Sequence, residues 1–288
     1  MRIQHNITAL NSHRNLSNNN SALTKNLEKL SSGYRINRAG DDAAGLAISE
    51  KMRAQITGLQ TAQKNSEDGV SLVQTAEGAL TEVHSMLNRM VELATQSANG
   101  TYSSANRAEM QKEVVALRNE IDRISNTANF NGTTLFSKFQ GGGEQGLVAI
   151  HASETANTAD QIKITLSAMS SSKMSAKIGT NQETVTLTSV DVSNSTSALK
   201  AITMAKMAID IVSSMRSDFG ALQNRLEHTI NNLGVQTENL SAAESRIRDV
   251  DMAKEMMTYT KNNILVQASQ AMLAQANQVP QGVLQLLQ

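Results

Sequence analysis

Apolar residues recur every three, four or seven positions near both ends of the chain, and each run lines one stripe of a helix. The N-terminal stripe consists of Ile3, Ile7 and Leu10 and, after a slip, of Leu16, Leu23, Leu27 and Leu30. The C-terminal stripe includes Ile247, Met257, Ile264 and Met272. Both stripes are narrow and are surrounded by Ala, Ser, Asn and Gln, so a lone helix of this kind is marginal in water. We therefore predict that the two ends pair with each other, and with other copies of the chain, on assembly.

The pattern between the two ends predicts long helices that pack side by side. A second helix is expected from about residue 43 to about residue 98, and at 1.5 Å per residue it would be roughly 80 Å long. A third helix is expected over about 104–126, because apolar residues there follow the 4-3-4-3 spacing of a coiled-coil seam. Helical spacing returns at about Ser197. Its phase shifts between 231 and 240, which indicates a change from an outer bundle to the terminal helix.

Short β-branched runs interrupt the helical pattern between about residues 135 and 192. The runs at 147–150, 162–166 and 183–188 predict a small β element of two or three strands on the bundle. No element is predicted for 169–177, which is rich in serine and methionine. The sequence therefore predicts a mainly α fold, a long antiparallel helical bundle or coiled coil with paired N- and C-terminal helices and a small β-hairpin region.

The composition argues against several classes of protein. Aromatic residues make up 2% of the 288 residues, and the chain has neither Trp nor Cys. Because aromatic side chains supply much of the burial in compact cores, a thin bundle filled by aliphatic residues is expected. The 26 basic residues equal the 26 acidic ones, which argues against nucleic-acid binding. No apolar run reaches the roughly 18 residues of a membrane span, and the first residues lack the apolar segment of a cleavable signal.

No motif for catalysis or metal binding stands out in the sequence. Zinc-protease, phosphate-loop and nucleophile-elbow motifs are absent, and the five histidines are scattered without metal-ligand spacing. Asp41, Asp42 and the charged run at 248–251 could form a cation site, but helix capping and solvated charge are the favoured interpretations. We therefore predict no catalytic residue, no metal and no cofactor.

Four motifs resemble those of the bacterial flagellin family. Ser-Ser-Gly-Tyr-Arg-Ile-Asn at 31–37 and Asp-Asp-Ala-Ala-Gly-Leu-Ala-Ile at 41–48 are similar to its N-terminal signature. Phe-Gly-Ala-Leu-Gln-Asn-Arg-Leu-Glu-His-Thr-Ile-Asn-Asn-Leu at 219–233 is similar to its C-terminal counterpart, and Gln-Ala-Asn-Gln-Val-Pro-Gln at 275–281 resembles its end. The motifs are long and occur in order at both ends, while the middle of the chain resembles a short flagellin without large outer domains.

The resemblance implies a subunit of the helical flagellar filament, an extracellular tube that serves swimming motility. Residues 1–42 and 244–288 would form the two halves of the inner-tube coiled coil, called D0. Residues 43–243 would form the rod-like domain D1, with the β region at about 135–192. Export of the unfolded chain is also implied, as are an export chaperone, filament cap and hook-junction proteins as partners beside the chain itself. Gln288 stands where the family usually carries arginine.

A second implied function is recognition by the flagellin-sensing Toll-like receptor of animal hosts. The family motif Gln-Arg-(Val/Ile)-Arg-Glu-Leu stands here as Asn-Arg-Met-Val-Glu-Leu at 88–93. Arg89 and Leu93 match the motif, and Glu113 corresponds to a further family contact. Val91 replaces the second arginine and removes a bidentate donor, so we predict that receptor binding survives but that signalling is weaker than for the commonest motif. The alternative interpretation of Arg89 is a solvated bundle residue or a filament contact.

Other functions remain open at this point. A hook–filament junction protein would share the terminal helices, but it would be present in few copies, whereas a filament subunit is present in thousands. A flagellin that carries a metalloprotease insert would need a zinc motif, which the sequence lacks. A needle-tip protein of a secretion system would share helical hairpins but not the four motifs.

Overall fold

The computed structural model describes residues 6–136, 145–155, 157–167, 169–171, 175–178 and 183–286. These residues form five long helices: α1 Ile7–Ser32, α2 Ala43–Ala98, α3 Ser104–Thr127, α4 Ser195–Arg248 and α5 Met252–Leu286. The predicted mainly α fold is confirmed, and the bounds of α2 and α3 agree with those expected from the pattern. Ile3 and Gln288 lie outside the described residues.

Side chains and glycine define where the helices begin and end. The Asn6 side chain accepts the Ala9 amide at the start of α1, and Ser103 accepts the Asn106 amide at the start of α3. Gly33 ends α1 in the left-handed region at φ 75°, where a residue without Cβ is favoured. Its amide donates to the Lys29 carbonyl. These caps satisfy backbone groups that would otherwise lack a partner.

Within the described residues, six short strands pair as three antiparallel hairpins. The strands are β1 Asn129–Phe130, β2 Thr133–Thr134, β3 Gln145–His151, β4 Gln161–Ser167, β5 Ser175–Ile178 and β6 Glu183–Thr186. Asn131 and Gly132 join β1 to β2 with φ angles of 49° and 80°, the backbone that a type I′ turn requires. In the β3–β4 hairpin, Val148 pairs with Ile164 and Ile150 pairs with Ile162.

The described residues of the 135–192 region form four strands, so the prediction of two or three strands was too low. Strands β3, β4 and β6 lie in the three runs that the pattern singled out. Strand β5 lies partly in the 169–177 segment, for which no element was predicted. Its four residues, Ser-Ala-Lys-Ile, are too short a run to show an alternation, and pairing with β6 supplies its hydrogen bonds.

The chain divides into two compact units. One unit combines Met1–Thr57 with Thr237–Gln288, and the other is Gly58–Gln236. Both boundaries fall within helices, one in α2 and one in α4. These units are defined by packing within one chain, whereas the predicted domains are defined by their place in a filament.

The core of the second unit follows a heptad seam along α2. Its positions are spaced three or four residues apart, and all are buried: Leu59, Ala62, Ser66, Gly69, Val73, Ala76, Leu80, Val83, Leu87, Met90, Ala94 and Ser97. Helix α4 contributes Val212, Phe219, Leu226 and Leu233, each seven residues after the last, and all are buried. Ile162, Ile164 and Leu166 of β4 belong to the same core, so the hairpin is part of the bundle's packing.

Candidate functional site

The first unit pairs α1 with α5 through polar residues. Asn19 Nδ2 donates to Ser269 Oγ at 3.0 Å, and Asn6 Nδ2 donates to the Ala276 carbonyl at 2.8 Å. The Asn26 amide, oriented so that both of its atoms find partners, accepts from Asn262 Nδ2 at 3.1 Å. The partners run in opposite directions along the two helices, so the pair is antiparallel. Amide and hydroxyl groups therefore set the facing layers of the pair.

The pairing layers follow a heptad that combines leucines of the predicted apolar stripe with asparagines. Leu16, Leu23 and Leu30 recur every seven residues on α1, and Asn19 and Asn26 lie three residues after the first two of them. These five residues are buried or half-buried, unlike most of their neighbours. The repeat of asparagine at a fixed offset from leucine was the sequence signal for this seam. It was missed because asparagine is polar and does not count toward an apolar pattern.

Most of the predicted stripe residues remain exposed beside this pair. Leu23, Leu30 and Ile247 are half-buried. The exposed ones have 54 to 68% of their surface open in the isolated chain: Ile7, Leu10, Leu27, Met257, Ile264 and Met272. The intrachain contact of α1 with α5 therefore leaves these six apolar side chains uncovered. We call these six residues the apolar face.

The energetics of this arrangement favour further association. A neutral hydrogen bond contributes only about 0.5–1.5 kcal/mol net, so the few polar contacts between α1 and α5 give limited stability. Burial of a large aliphatic side chain contributes about 1.5–3 kcal/mol relative to full exposure. Burial of the apolar face would therefore add to the stabilisation that the leucine and asparagine layers of the seam supply. Exposed apolar surface of this kind is typical of interaction sites.

The connecting segments of the first unit are tied to each other by backbone hydrogen bonds. The Arg35 amide donates to the Arg248 carbonyl, the Val250 amide donates to the Gly33 carbonyl, and Tyr34 forms a bridge with Asp249. The Arg248 guanidinium lies 4.7 Å from the centre of the Tyr34 ring. The segment that connects α1 to α2 and the segment that connects α4 to α5 are thus held side by side.

Arg248, Asp42 and Asp251 each form a hydrogen bond with another group of the same chain. Arg248 Nη1 donates to Glu50 Oε1 at 2.8 Å. Asp42 accepts the Gly45 amide at the start of α2, and Asp251 accepts the Lys254 amide at the start of α5. In the part of the chain that the structure describes, no group of three or more His, Asp or Glu is placed to hold a metal ion. The capping interpretation of these residues is the one that the geometry supports.

Asp41 accepts two backbone amides of its own loop. Its Oδ2 is 3.2 Å from the Asn37 nitrogen and 3.1 Å from the Arg38 nitrogen. The pKa of Asp41 lies below the usual range, first because the Arg38 amide hydrogen-bonds the carboxylate and then because the Asn37 amide does so. The ionised carboxylate therefore closes the loop that follows α1.

Arg89 and Glu113 are brought together by α2 and α3. Arg89 Nε donates to Glu113 Oε1 at 2.9 Å, and its Nη1 donates to Glu92 Oε2 at 2.9 Å. The hydrogen bond to Glu113 is the main cause of the raised pKa of Arg89. Leu93 is only 2% exposed and lies in the core, while Val91 is half-buried. The surface at this position is therefore formed by the Arg89 ion pairs, and Leu93 supports α2 from inside.

The helices in the described part of the chain do not combine the length and the apolar character that crossing a bilayer requires. Exposed large apolar side chains occur on α1 and α5, and also at Ile48 of α2 and at Leu199, Ile211 and Val235 of α4.

Comparisons with known proteins match both ends of the chain. Family models described as the bacterial flagellin N-terminal helical region and C-terminal helical region match residues 3–140 and 202–287. Flagellins of Bacillus subtilis (strain 168) and Halalkalibacterium halodurans are 53% and 52% identical, and each alignment covers 100% of both chains. A crystal structure of Bacillus cereus flagellin is 30% identical with a TM-score of 0.46, over 63% of this chain and 94% of that one.

Proposed function

The chain belongs to the bacterial flagellin family, which makes it a structural subunit of the extracellular flagellar filament and not an enzyme, and we propose how its parts build that filament. Residues 1–42 and 244–288 form the inner tube D0, and residues 43–243 form the surrounding rod D1. Neighbouring copies cover the apolar face of α1 and α5. The observation that carries this proposal is the exposure of that face beside a polar intrachain seam.

The geometry of a filament follows from the use of two different surfaces of one subunit. A contact between unlike faces propagates without closing, so the product is an open helical polymer. Terminal helices with little stability of their own bind well only where several neighbours cover them at once, as at a growing tip. Free subunits therefore stay in solution while a seeded filament grows.

Substitution within the apolar face tests this arrangement. Met257→Gln with Ile264→Gln removes apolar area that we expect a neighbour to bury, at about 1.5–3 kcal/mol per side chain. The critical concentration for seeded growth should rise about tenfold or more, measured by sedimentation and electron microscopy. Lys261→Gln on the same helix, at an exposed polar position, is the matched control and should assemble normally. Seeded growth of the double variant at the critical concentration of the unaltered chain would refute the proposal.

Deletion of either terminal segment gives a second test. Chains that lack residues 1–32 or residues 250–288 should remain monomeric, because each loses one half of the terminal pair. Long filaments of either truncated chain in electron micrographs would count against the inner-tube assignment. The alternative of a hook–filament junction protein is disfavoured, because relatives that match over their whole length are named flagellins.

We further propose export as an unfolded chain with help from an export chaperone, and contacts with the filament cap and the hook-junction proteins. These partners are those that the family resemblance implies. The absence of cysteine means that no disulfide has to be opened before export. Export of the chain into culture medium by a flagellated host that lacks its own flagellin is the measurement for this step.

The Arg89 surface supports a proposal of recognition by the host flagellin-sensing Toll-like receptor, with signalling weakened by Val91. Arg89 and Glu113 supply an exposed charge pair, and Leu93 holds α2 in place beneath it. Val91→Arg should strengthen the response of reporter cells, because it restores a bidentate donor. Glu113→Gln should weaken it, whereas Glu109→Gln on the same helix should not. If Val91→Arg and the unaltered chain give the same reporter-cell response at every concentration, the proposal that Val91 weakens signalling is wrong.

A further inference from the structure

The methionines of the described chain differ sharply in exposure. Those that are exposed all lie on α5, with 49, 49, 68 and 63% of their surface open: Met252, Met256, Met257 and Met272. The other described methionines are buried or half-buried, and Met90, Met169 and Met204 are at most 2% exposed. Accessible thioethers in the described residues are therefore concentrated on one helix.

Two of these thioethers are part of the apolar face. Residues of α5 that face α1 include Asn262, Ser269 and the carbonyl of Ala276. Met257 and Met272 lie on other positions of the helix, together with Ile264, and make no part of the polar seam. The sulfur atoms are thus open in the isolated chain and, on the proposed function, covered by neighbouring copies in the filament.

We propose that the α5 methionines are oxidation sites that decide whether a free subunit can join a filament, an inference that rests on the proposed function. The oxidant is hydrogen peroxide. A lone pair of the sulfur attacks one peroxide oxygen, an S–O bond forms and the O–O bond breaks. The sulfur is oxidised by two electrons, and the other oxygen leaves as water after proton transfer. The product, methionine sulfoxide, is polar where the thioether was apolar.

The sulfoxide acts on assembly because of where it lies. On the free subunit its oxygen is hydrated, and this water must be removed when a neighbour covers the apolar face. An oxidised subunit therefore binds the growing tip weakly. A subunit already in the filament keeps its thioethers away from the oxidant. The modification is reversible, because methionine sulfoxide reductases restore the thioether.

The first experiment treats the full chain with hydrogen peroxide, once as free subunits and once as preformed filaments. Peptide mass mapping should find sulfoxide on the α5 methionines of free subunits well before Met90, Met169 or Met204. Met257 and Met272, which belong to the apolar face, should react about tenfold more slowly in filaments, since access to the sulfur is lost. Equal oxidation of buried and α5 methionines, or equal rates in the two forms, would overturn the proposal.

The second experiment measures seeded growth after oxidation. The critical concentration of the peroxide-treated chain should rise about tenfold, and treatment with a methionine sulfoxide reductase should restore it. Replacement of the four α5 methionines by leucine should make growth insensitive to peroxide. The matched control replaces four half-buried methionines that pack against the core and should remain sensitive: Met86, Met110, Met207 and Met215.

The outcomes separate this inference from the proposed function. If the untreated chain fails to extend seeds, the filament proposal fails, while the mass map still tests the oxidation sites. If the untreated chain grows but the oxidised chain grows equally well, only the oxidation inference is overturned. If the leucine variant does not assemble, the test is whether the reductase restores seeded growth of the oxidised chain. Growth that stays lost after reductase treatment would count against the proposal.

Discussion

Gly69 shows how a single residue lets a hairpin pack onto a long helix. It occupies a seam position of α2, between the buried Ser66 and Val73. A Cβ placed there would lie 2.1 Å from Cδ1 of Ile150 and 3.4 Å from Cδ1 of Leu226. Ile150 of β3 is itself buried. Glycine therefore leaves the space that the β3–β4 hairpin fills.

Gly69→Ala should lower the free energy of unfolding by about 1 kcal/mol, because Ile150 must leave its packed position and this outweighs the gain in helix propensity. Gly78→Ala is the matched control on the same helix, since nothing lies within 4 Å of its added Cβ. It should raise stability by about 0.5–1 kcal/mol. Chemical denaturation followed by circular dichroism measures both, and equal stabilisation by the two substitutions would contradict this account.

The loop closed by Asp41 should open in acid. Because the folded-state pKa is lowered, the carboxylate stabilises the loop at pH values above the ordinary aspartate pKa of about 3.9. That contribution is lost as the pH falls through the lowered pKa. Hydrogen exchange at the Asn37 and Arg38 amides should therefore accelerate, relative to its intrinsic rate, below about pH 4. Asp41→Asn should remove this step, and a step that persists in the variant would assign it to another group.

At the scale of elements, the polar layers of the α1–α5 pair restrict its register. Asn19 faces Ser269 and Asn26 faces Asn262, with leucines of α1 between these layers. A slip of three or four residues would place an asparagine against an apolar layer such as Val266, where its amide lacks a partner. A slip of seven residues would still place the polar layers of α1 opposite polar layers of α5. The bridge from Tyr34 to Asp249 is therefore needed to exclude that register.

Removal of the asparagine layer should allow more than one register. Because the chain has no cysteine, the pair Asn19→Cys with Ser269→Cys reports the native register, and Asn19→Cys with Val266→Cys reports a slipped one. The cysteine pair that reports the slipped register should form several-fold more disulfide in assembled filaments when Asn26→Leu and Asn262→Leu are also present. The disulfide is detected as an intrachain cross-linked product on a non-reducing gel. Lys25→Leu, off the seam, is the control. An unchanged ratio of the two products would show that these asparagines do not set the register.

For the whole molecule, the two units should differ in stability in a free subunit. The second unit has a continuous aliphatic core, whereas α1 and α5 leave their apolar face open. Hydrogen–deuterium exchange in a dilute solution should show fast exchange for α1 and α5 and slow exchange for α2 and α4 within 58–236. In filaments all four segments should be protected. Slow exchange of α1 and α5 in the dilute subunit would mean that the ends hold their structure without neighbours.

The sequence determined the helices and the class of fold. Heptad spacing at Val114 and Ile121 predicted the seam of α3, and both residues are buried. Helix capping was predicted for Asp41 and Asp42, and Asp42 accepts the Gly45 amide at the start of α2. Such a signal acts within a few residues of chain. The small share of aromatic residues predicted an aliphatic core, and the core of the second unit consists largely of Leu, Ile, Val, Met and Ala.

Only the tertiary structure decided which side of each terminal helix faces its partner. Spacing identified the stripe of Ile7 and Leu10, yet the intrachain pair uses the layers of Asn19 and Asn26. It also placed Leu93 in the core, beneath a motif whose sequence gives no sign of its depth. A periodic pattern fixes which residues share a face, because the pitch of a helix is local. Burial depends on the surface that arrives opposite that face, and this surface comes from residues far away in the chain.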